Sequence, residues 1–211
     1  MNTRKLSVVV LISGSGSNLQ AFIDRSSELN ISIKAVISNI AEAYGLERAK
    51  TANIPAIAVP HGDFASREDF DASLANHIHK YQPDLIILAG FMRILSADFV
   101  TAFKDKIINI HPSLLPKYKG LNTHQRAIEA GDDFHGASVH VVTPELDDGP
   151  VIIQGQLPIK EDATAESLQQ QIHVIEHQIY PQAVKWIANG DVIIQNGQVI
   201  ETHSLERLVT I

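Results

Sequence analysis

The chain has 211 residues, 45% hydrophobic and 19% charged, a balance that supports one packed domain and excludes a disordered chain. Lys and Arg number 17 against 24 Asp and Glu, giving a net charge of −7, and no basic run of five occurs; a broad basic face for nucleic acid is excluded. Cysteine is absent, which removes disulfides, thiolate metal sites and cysteine nucleophiles, fits a reducing compartment and predicts a cytoplasmic protein. Arg4 and Lys5 precede an apolar run of only seven residues that stops at a glycine turn, so it reads as a strand and not as a signal peptide. No stretch approaches the roughly 18 apolar residues of a membrane span.

In chain order, residues 6–12 are β-branched and almost wholly apolar, the pattern of a strand buried on both faces. Residues 13–18 form a Ser/Gly loop that runs into a helix. Residues 31–38 predict a second strand, 43–52 a helix stopped by Asn53 and Pro55, and 57–59 a short third strand. Residues 66–81 predict a helix with a capping box between Ser66 and Asp69. Residues 85–89 and 107–110 predict further strands, followed by a Pro-rich loop over 112–120 and a helix near 123–130. Strands at 137–142 and 151–157 flank a loop rich in Pro, Asp and Gly. A long helix over 164–188 carries Pro181, where a kink or break is expected near Tyr180. Asn196-Gly197 sits between residues 191–194 and 198–201 and predicts a hairpin. Strands alternating with helices define an α/β fold with a mostly parallel sheet and crossover helices. With no repeat or linker, residues 1–211 read as a single domain.

Four constellations carry chemistry. The loop Ser13-Gly14-Ser15-Gly16-Ser17-Asn18 offers main-chain N–H groups and a helix start, the equipment for a phosphate. It lacks the third glycine of a dinucleotide fingerprint and the Gly-Lys of a Walker loop, and a plain turn explains it as well. Asn109 and His111, two apart at a strand end, project to one side and can converge on a developing oxyanion; a capped strand end is the simpler account. Asp147 and Asp148 lie in a turn before Gly149-Pro150, where either carboxylate could orient a histidine or simply serve the turn. His173, Glu176 and His177 match an inverted zinc-hydrolase motif, although ten histidines make a chance match easy. His77 and His79 read as solvated.

These residues, in this order, resemble the folate-dependent formyltransferases, and within them the glycinamide ribonucleotide branch. The resemblance rests on residues 10–20, 89–95 and 109–116, on Gly136 to His140 with the Asp-Asp-Gly-Pro turn, and on Glu176-His177-Gln178-Ile179-Tyr180-Pro181. It implies a Rossmann-like fold and transfer of a formyl group from 10-formyltetrahydrofolate, a co-substrate, to the amine of glycinamide ribonucleotide in purine synthesis. By the same resemblance Asn109, His111 and Asp147 form the catalytic trio. Gly16, Ser17 and Asn18 hold the ribonucleotide phosphate, and Glu176 holds its sugar. Arg67, Met92, Arg93, Ile94, Leu95, Asn109, Thr143, Pro144, Glu145, Leu146 and Asp147 border the folate, with Ser138 and His140 in support behind the trio. No metal is implied, and the partners are small molecules, not nucleic acid or membrane, for a monomer or homodimer.

The sequence departs from the family pattern at Ala137, Val141, Pro144, Asp148 and His173. Two rivals share the motif: a methionyl-tRNA formyltransferase, for which no nucleic-acid-binding extension is expected here, and a formyltetrahydrofolate deformylase, whose N-terminal regulatory domain is not expected before Leu6. A zinc hydrolase on the His173 helix and a nucleotide-binding module using only the glycine loop belong to other classes.

Overall fold

The computed structural model of the chain describes residues 4–211. It divides into two compact units, residues 1–108 and 109–211, with the boundary inside one strand.

Unit 1 holds β1 (Leu6–Ile12), α1 (Ser17–Arg25), β2 (Ile31–Ser38), α2 (Tyr44–Thr51), β3 (Ala56–Ala58), α3 (Arg67–His79), β4 (Leu85–Leu88) and α4 (Ala97–Ala102). Its strands lie in the order β4-β1-β2-β3, every pair parallel. Val8, Val9, Val10, Leu11 and Ile12 are wholly buried, as a central parallel strand covered on both faces requires. The strand bounds 6–12 and 31–38 match the apolar runs that predict them. Ser66 caps α3 by accepting the Asp69 N–H, but the Asp69 carboxylate takes the Ser66 hydroxyl instead of the main-chain N–H of a full capping box. His77 is half-buried and its pKa is lowered by burial, so it is not simply solvated, whereas His79 is exposed as expected, with its ring stacked on Phe103. Helix α4, capped by Ser96, has no counterpart among the predicted elements; six residues are too few to show a helical period.

Unit 2 holds most of β5 (Ile107–His111), then α5 (Thr123–Glu129), β6 (Phe134–Val141), β7 (Val151–Pro158), α6 (Ala165–Asn189), β8 (Val192–Gln195), β9 (Gln198–Glu201) and β10 (Leu208–Thr210). The order is β10-β7-β6-β5, with β6 and β7 antiparallel and β10 parallel to β7. β8 and β9 form the hairpin, and Asn196 and Gly197 both take positive φ, as a tight hairpin turn demands. Strand β10, three residues paired with a partner more than 50 positions earlier, is the second element with no predicted counterpart.

Helix α6 runs for 25 residues through Pro181, so of the expected kink or break the break does not occur. Proline removes one N–H and costs about 3 kcal/mol in a helix interior. The buried stripe Leu168, Ile172, Ile175, Ile179 and Ala183 lies on both sides of the proline and packs on β6 and β7, which offsets that cost. The close approach depends on Gly155 of β7: a Cβ there would stand 2.3 Å from Ile175 Cγ2. Glu176, next to Ile175, is thereby drawn into the protein and is only 5% exposed.

Candidate active site

In unit 2 the last residues of β5 carry Asn109 and His111 on one side of the strand, and both face groups of β6 and of the loop that follows it. Asn109 Nδ2 donates to His140 Nε2 at 3.2 Å. His140 Nδ1 donates to the Val141 carbonyl at 3.0 Å, so Nε2 carries a lone pair and the ring is neutral. Burial lowers the His140 pKa and keeps it so, against smaller opposing contributions from the Val141 carbonyl and Asp147. A neutral His140 therefore fixes which way the Asn109 amide points.

His111 is buried. Its Nε2–H donates to the Tyr118 carbonyl at 2.9 Å, and its Nδ1 faces Asp147 Oδ2 at 3.4 Å. A proton on Nδ1 would turn that approach into a charge-assisted hydrogen bond. Asp147 Oδ2 also accepts the Gly120 N–H at 2.9 Å, and Oδ1 lies 3.7 Å from His140 Nε2. Asp147 takes a left-handed φ of 48°, which Asp tolerates better than most residues. Asp148, one residue on, is exposed and pairs with Lys119. The two carboxylates thus have separate surroundings, and only Asp147 joins the histidines.

The loop around Asp147 is held shut at its base. Val141 N–H donates to the Pro150 carbonyl at 3.0 Å, and a Cβ on Gly149 would overlap the Val141 carbonyl at 1.8 Å. Ser138, two residues before His140, accepts from Leu115 N–H and Gln154 and donates to the Ser113 carbonyl. Its hydroxyl pins the Pro-rich loop that brings Tyr118 and Gly120 to the trio. Thr143 turns its hydroxyl to the Glu145 carbonyl, and Pro144, Glu145 and Leu146 are exposed. The supporting groups that sequence reasoning did not identify are a carbonyl and an N–H, which any residue could supply. A second histidine pair lies nearby: His124 Nδ1 and His135 Nε2 are 3.0 Å apart, and burial lowers both pKa values, that of His135 to about 4.

On α6, Glu176 is buried, His173 exposed and His177 half-buried with its pKa lowered by burial. Among the described residues no three His, Asp or Glu side chains gather in a way that could hold a metal ion.

Unit 1 carries the remaining candidates. Gly16, at φ 71°, caps α1 without any side-chain bond to the first turn, and no acid stands in that turn. The N–H groups at Ser17 and Asn18 therefore begin a helix with its positive end uncovered by a capping side chain. The Gly14 carbonyl accepts from Gly45 N–H at 3.0 Å and the Ser15 carbonyl from Arg48 Nε at 2.8 Å, which turns those carbonyls toward α2 and places a cation beside the loop. Arg67 is exposed at the start of α3, and the Arg93 guanidinium lies over Phe70, 4.8 Å from the ring centre. Met92 and Ile94 are exposed and Leu95 is buried.

An amide, an imidazole and a carboxylate gathered at a strand end are groups suited to stabilising an oxyanion and moving a proton. Residues 6–184 match the formyl transferase family, and the chain belongs to it. Over 187 residues it is 48% identical to phosphoribosylglycinamide formyltransferase of Escherichia coli, covering 88% of each chain. It is 49% identical over 190 residues to the trifunctional purine biosynthetic protein adenosine-3 of Chironomus tentans, of which it spans 14%. The solved phosphoribosylglycinamide formyltransferase of Coxiella burnetii, in complex with CHES, superposes with a TM-score of 0.91 at 49% identity over 98% of this chain and 99% of that one. The expected mostly parallel, Rossmann-like α/β fold and the formyltransferase class both hold.

Proposed function

We propose that the chain transfers the formyl group of 10-formyltetrahydrofolate to the primary amine of glycinamide ribonucleotide, in de novo purine biosynthesis, with residues 1–211 acting as one formyltransferase domain. The observation that carries this reading is the meeting of Asn109, His111 and Asp147 around neutral His140, from positions 38 residues apart in the chain. The uncharged amine attacks the formyl carbon, and the carbonyl oxygen becomes an oxyanion. The Asn109 amide, oriented by His140, donates to that oxygen. His111, when it carries a proton on Nδ1, adds positive charge. Asp147 holds His111 and helps carry the amine proton to the departing folate nitrogen. The bond from formyl carbon to that nitrogen then breaks. No nucleophilic side chain and no metal is required.

Gly16, Ser17 and Asn18 bind the ribonucleotide phosphate, and the buried Glu176 carboxylate accepts hydrogen bonds from the sugar. Arg67, Met92, Arg93, Ile94, Leu95, Thr143, Pro144, Glu145 and Leu146, with Asn109 and Asp147, receive the folate, whose acidic tail suits the two arginines. Ser138 and His140 support the trio. No described helix is long and apolar enough to cross a membrane, and a cytoplasmic monomer or homodimer with small-molecule partners completes the reading. The test mixes the purified protein with glycinamide ribonucleotide and a 10-formyl folate analogue and follows folate absorbance. A rise that depends on both substrates is the expected result; a flat trace with intact substrates would sink the reading.

A further inference from the structure

One hydroxyl in unit 1 has no part in the scheme above and yet touches both of that unit's ligand-facing segments. Ser13 directly follows β1 and opens the glycine loop. Its Oγ accepts the Met92 N–H at 2.7 Å and donates to Asn39 Oδ1 at 2.5 Å, and its own N–H donates to the Gly90 carbonyl at 3.1 Å. Asn39, buried just after β2, has its amide nitrogen 3.2 Å from His61 Nδ1, and its main-chain carbonyl accepts the His61 N–H at 3.2 Å. The ends of β1, β2 and β4 therefore meet on a single oxygen. The bonds have fixed directions: Met92 can only donate, and the Asn39 oxygen can only accept. A hydroxyl serves both, being donor and acceptor at one atom. Alanine serves neither and leaves the buried Asn39 oxygen without this donor.

We propose that Ser13 is a positioning residue that ties the anion loop, residues 14–18, to the segment Met92, Arg93, Ile94 and Leu95, so that phosphate and folate are seated by the same hydroxyl. The inference rests on the proposed assignment of those two segments. Ser13 touches no reacting atom; it acts through the loops it joins. Loss of a net hydrogen bond corresponds to about 3- to 10-fold in an equilibrium constant. Ser13→Ala is therefore expected to raise both KM values by about 3- to 10-fold while kcat changes less. Ser13→Thr, which keeps donor and acceptor, is expected to restore both.

Hydrogen exchange of the ligand-free protein reads the bridge without reference to activity. Ser13→Ala is expected to speed exchange at the Met92 amide and across residues 14–18, with unchanged rates in β7. An unchanged Met92 amide overturns the bridge. A rise in only one KM, or a fall in kcat with both KM values constant, overturns the shared positioning. If the unsubstituted protein transfers no formyl group, the assigned reaction fails, and the exchange measurement still decides whether Ser13 holds the two segments together.

Discussion

The glycine loop of unit 1 and the strand-end cluster of unit 2 present their polar groups in opposite ways. The loop works with main-chain N–H groups and an uncapped helix start, its Gly14 and Ser15 exposed and its carbonyls turned to α2. The cluster works with buried or half-buried side chains, each fixed by a partner: Asn109 by the His140 ring, His111 by the Tyr118 carbonyl, Asp147 by the Gly120 N–H. A main-chain site tolerates side-chain changes as long as the backbone keeps its path, and it grips reactant and transition state alike. A buried side-chain site fails when one member is lost, because the partners left behind stay desolvated and unpaired. The first should govern KM and the second kcat.

The largest effect that would sharpen this contrast lies in the cluster. Asn109→Ala, His111→Ala and Asp147→Asn are each expected to lower kcat by roughly 10²-fold or more, with the fold intact by circular dichroism. Steady-state kinetics at saturating substrates is the check, and a variant with near-normal kcat would remove that residue from the proposed mechanism. His140→Ala should fall between the trio and the loop, since it frees the Asn109 amide without deleting it.

Next comes the acid sensitivity of unit 2. His135 has its pKa lowered from 6.5 to about 4, first by burial and then by His124, with Asp132 opposing and His111 adding to the lowering. The unfolded chain takes up this proton before the folded one does. Stability fully present above pH 6.5 is therefore lost as pH falls from 6.5 to about 4, at a cost on the order of 3 kcal/mol. Urea unfolding at pH 7 and pH 4.5 is expected to show the drop, and His135→Asn to flatten it. Equal pH dependence in that variant would assign the acid sensitivity to other groups.

A smaller effect is expected at Glu176. Its replacement by Ala should weaken ribonucleotide binding by about 1.5 to 3 kcal/mol, the range for hydrogen bonds to a charged group, and spare folate binding. Titration calorimetry with each substrate separates the two, and equal weakening would place Glu176 in general packing of α6. The smallest effect belongs to Asp148→Asn, which removes an exposed pair with Lys119 and is expected to change kcat by less than about 2-fold. A loss there matching that of Asp147→Asn would show that the two carboxylates act as a coupled pair.

Most of the α/β plan is legible in the sequence because apolar runs and turn residues coincide. Residues 6–12 and 31–38 are bounded by glycine or polar turns, and Asn196-Gly197 fixes its hairpin through positive φ at both residues. Helix α4 and strand β10 escape because neither is long enough to carry a period, and β10 exists only by pairing with distant β7. Pro181 does not end its helix because packing on both sides of it outweighs the local cost. Within the candidate site, the spacing of Asn109 and His111 is visible, since two residues on a strand share a side. The choice of Asp147 over Asp148 follows from the family register, and the geometry that separates them comes from Lys119 and Gly120, which only the folded loop brings near. Ser13 is visible as part of a glycine-rich loop, but its bonds to Asn39 and Met92 require three strand ends that the sequence keeps far apart.

The closure at Gly149 makes chain length itself part of the chemistry. Between the Val141 N–H bonded to Pro150 and the carbonyl that crowds Gly149, the segment bearing Asp147 is a noose of fixed circumference. A residue added to or taken from that noose would swing the carboxylate away from His111 even if every side chain were kept. Deletion scanning across residues 142–148 should therefore be more damaging than alanine scanning of the same stretch outside Asp147.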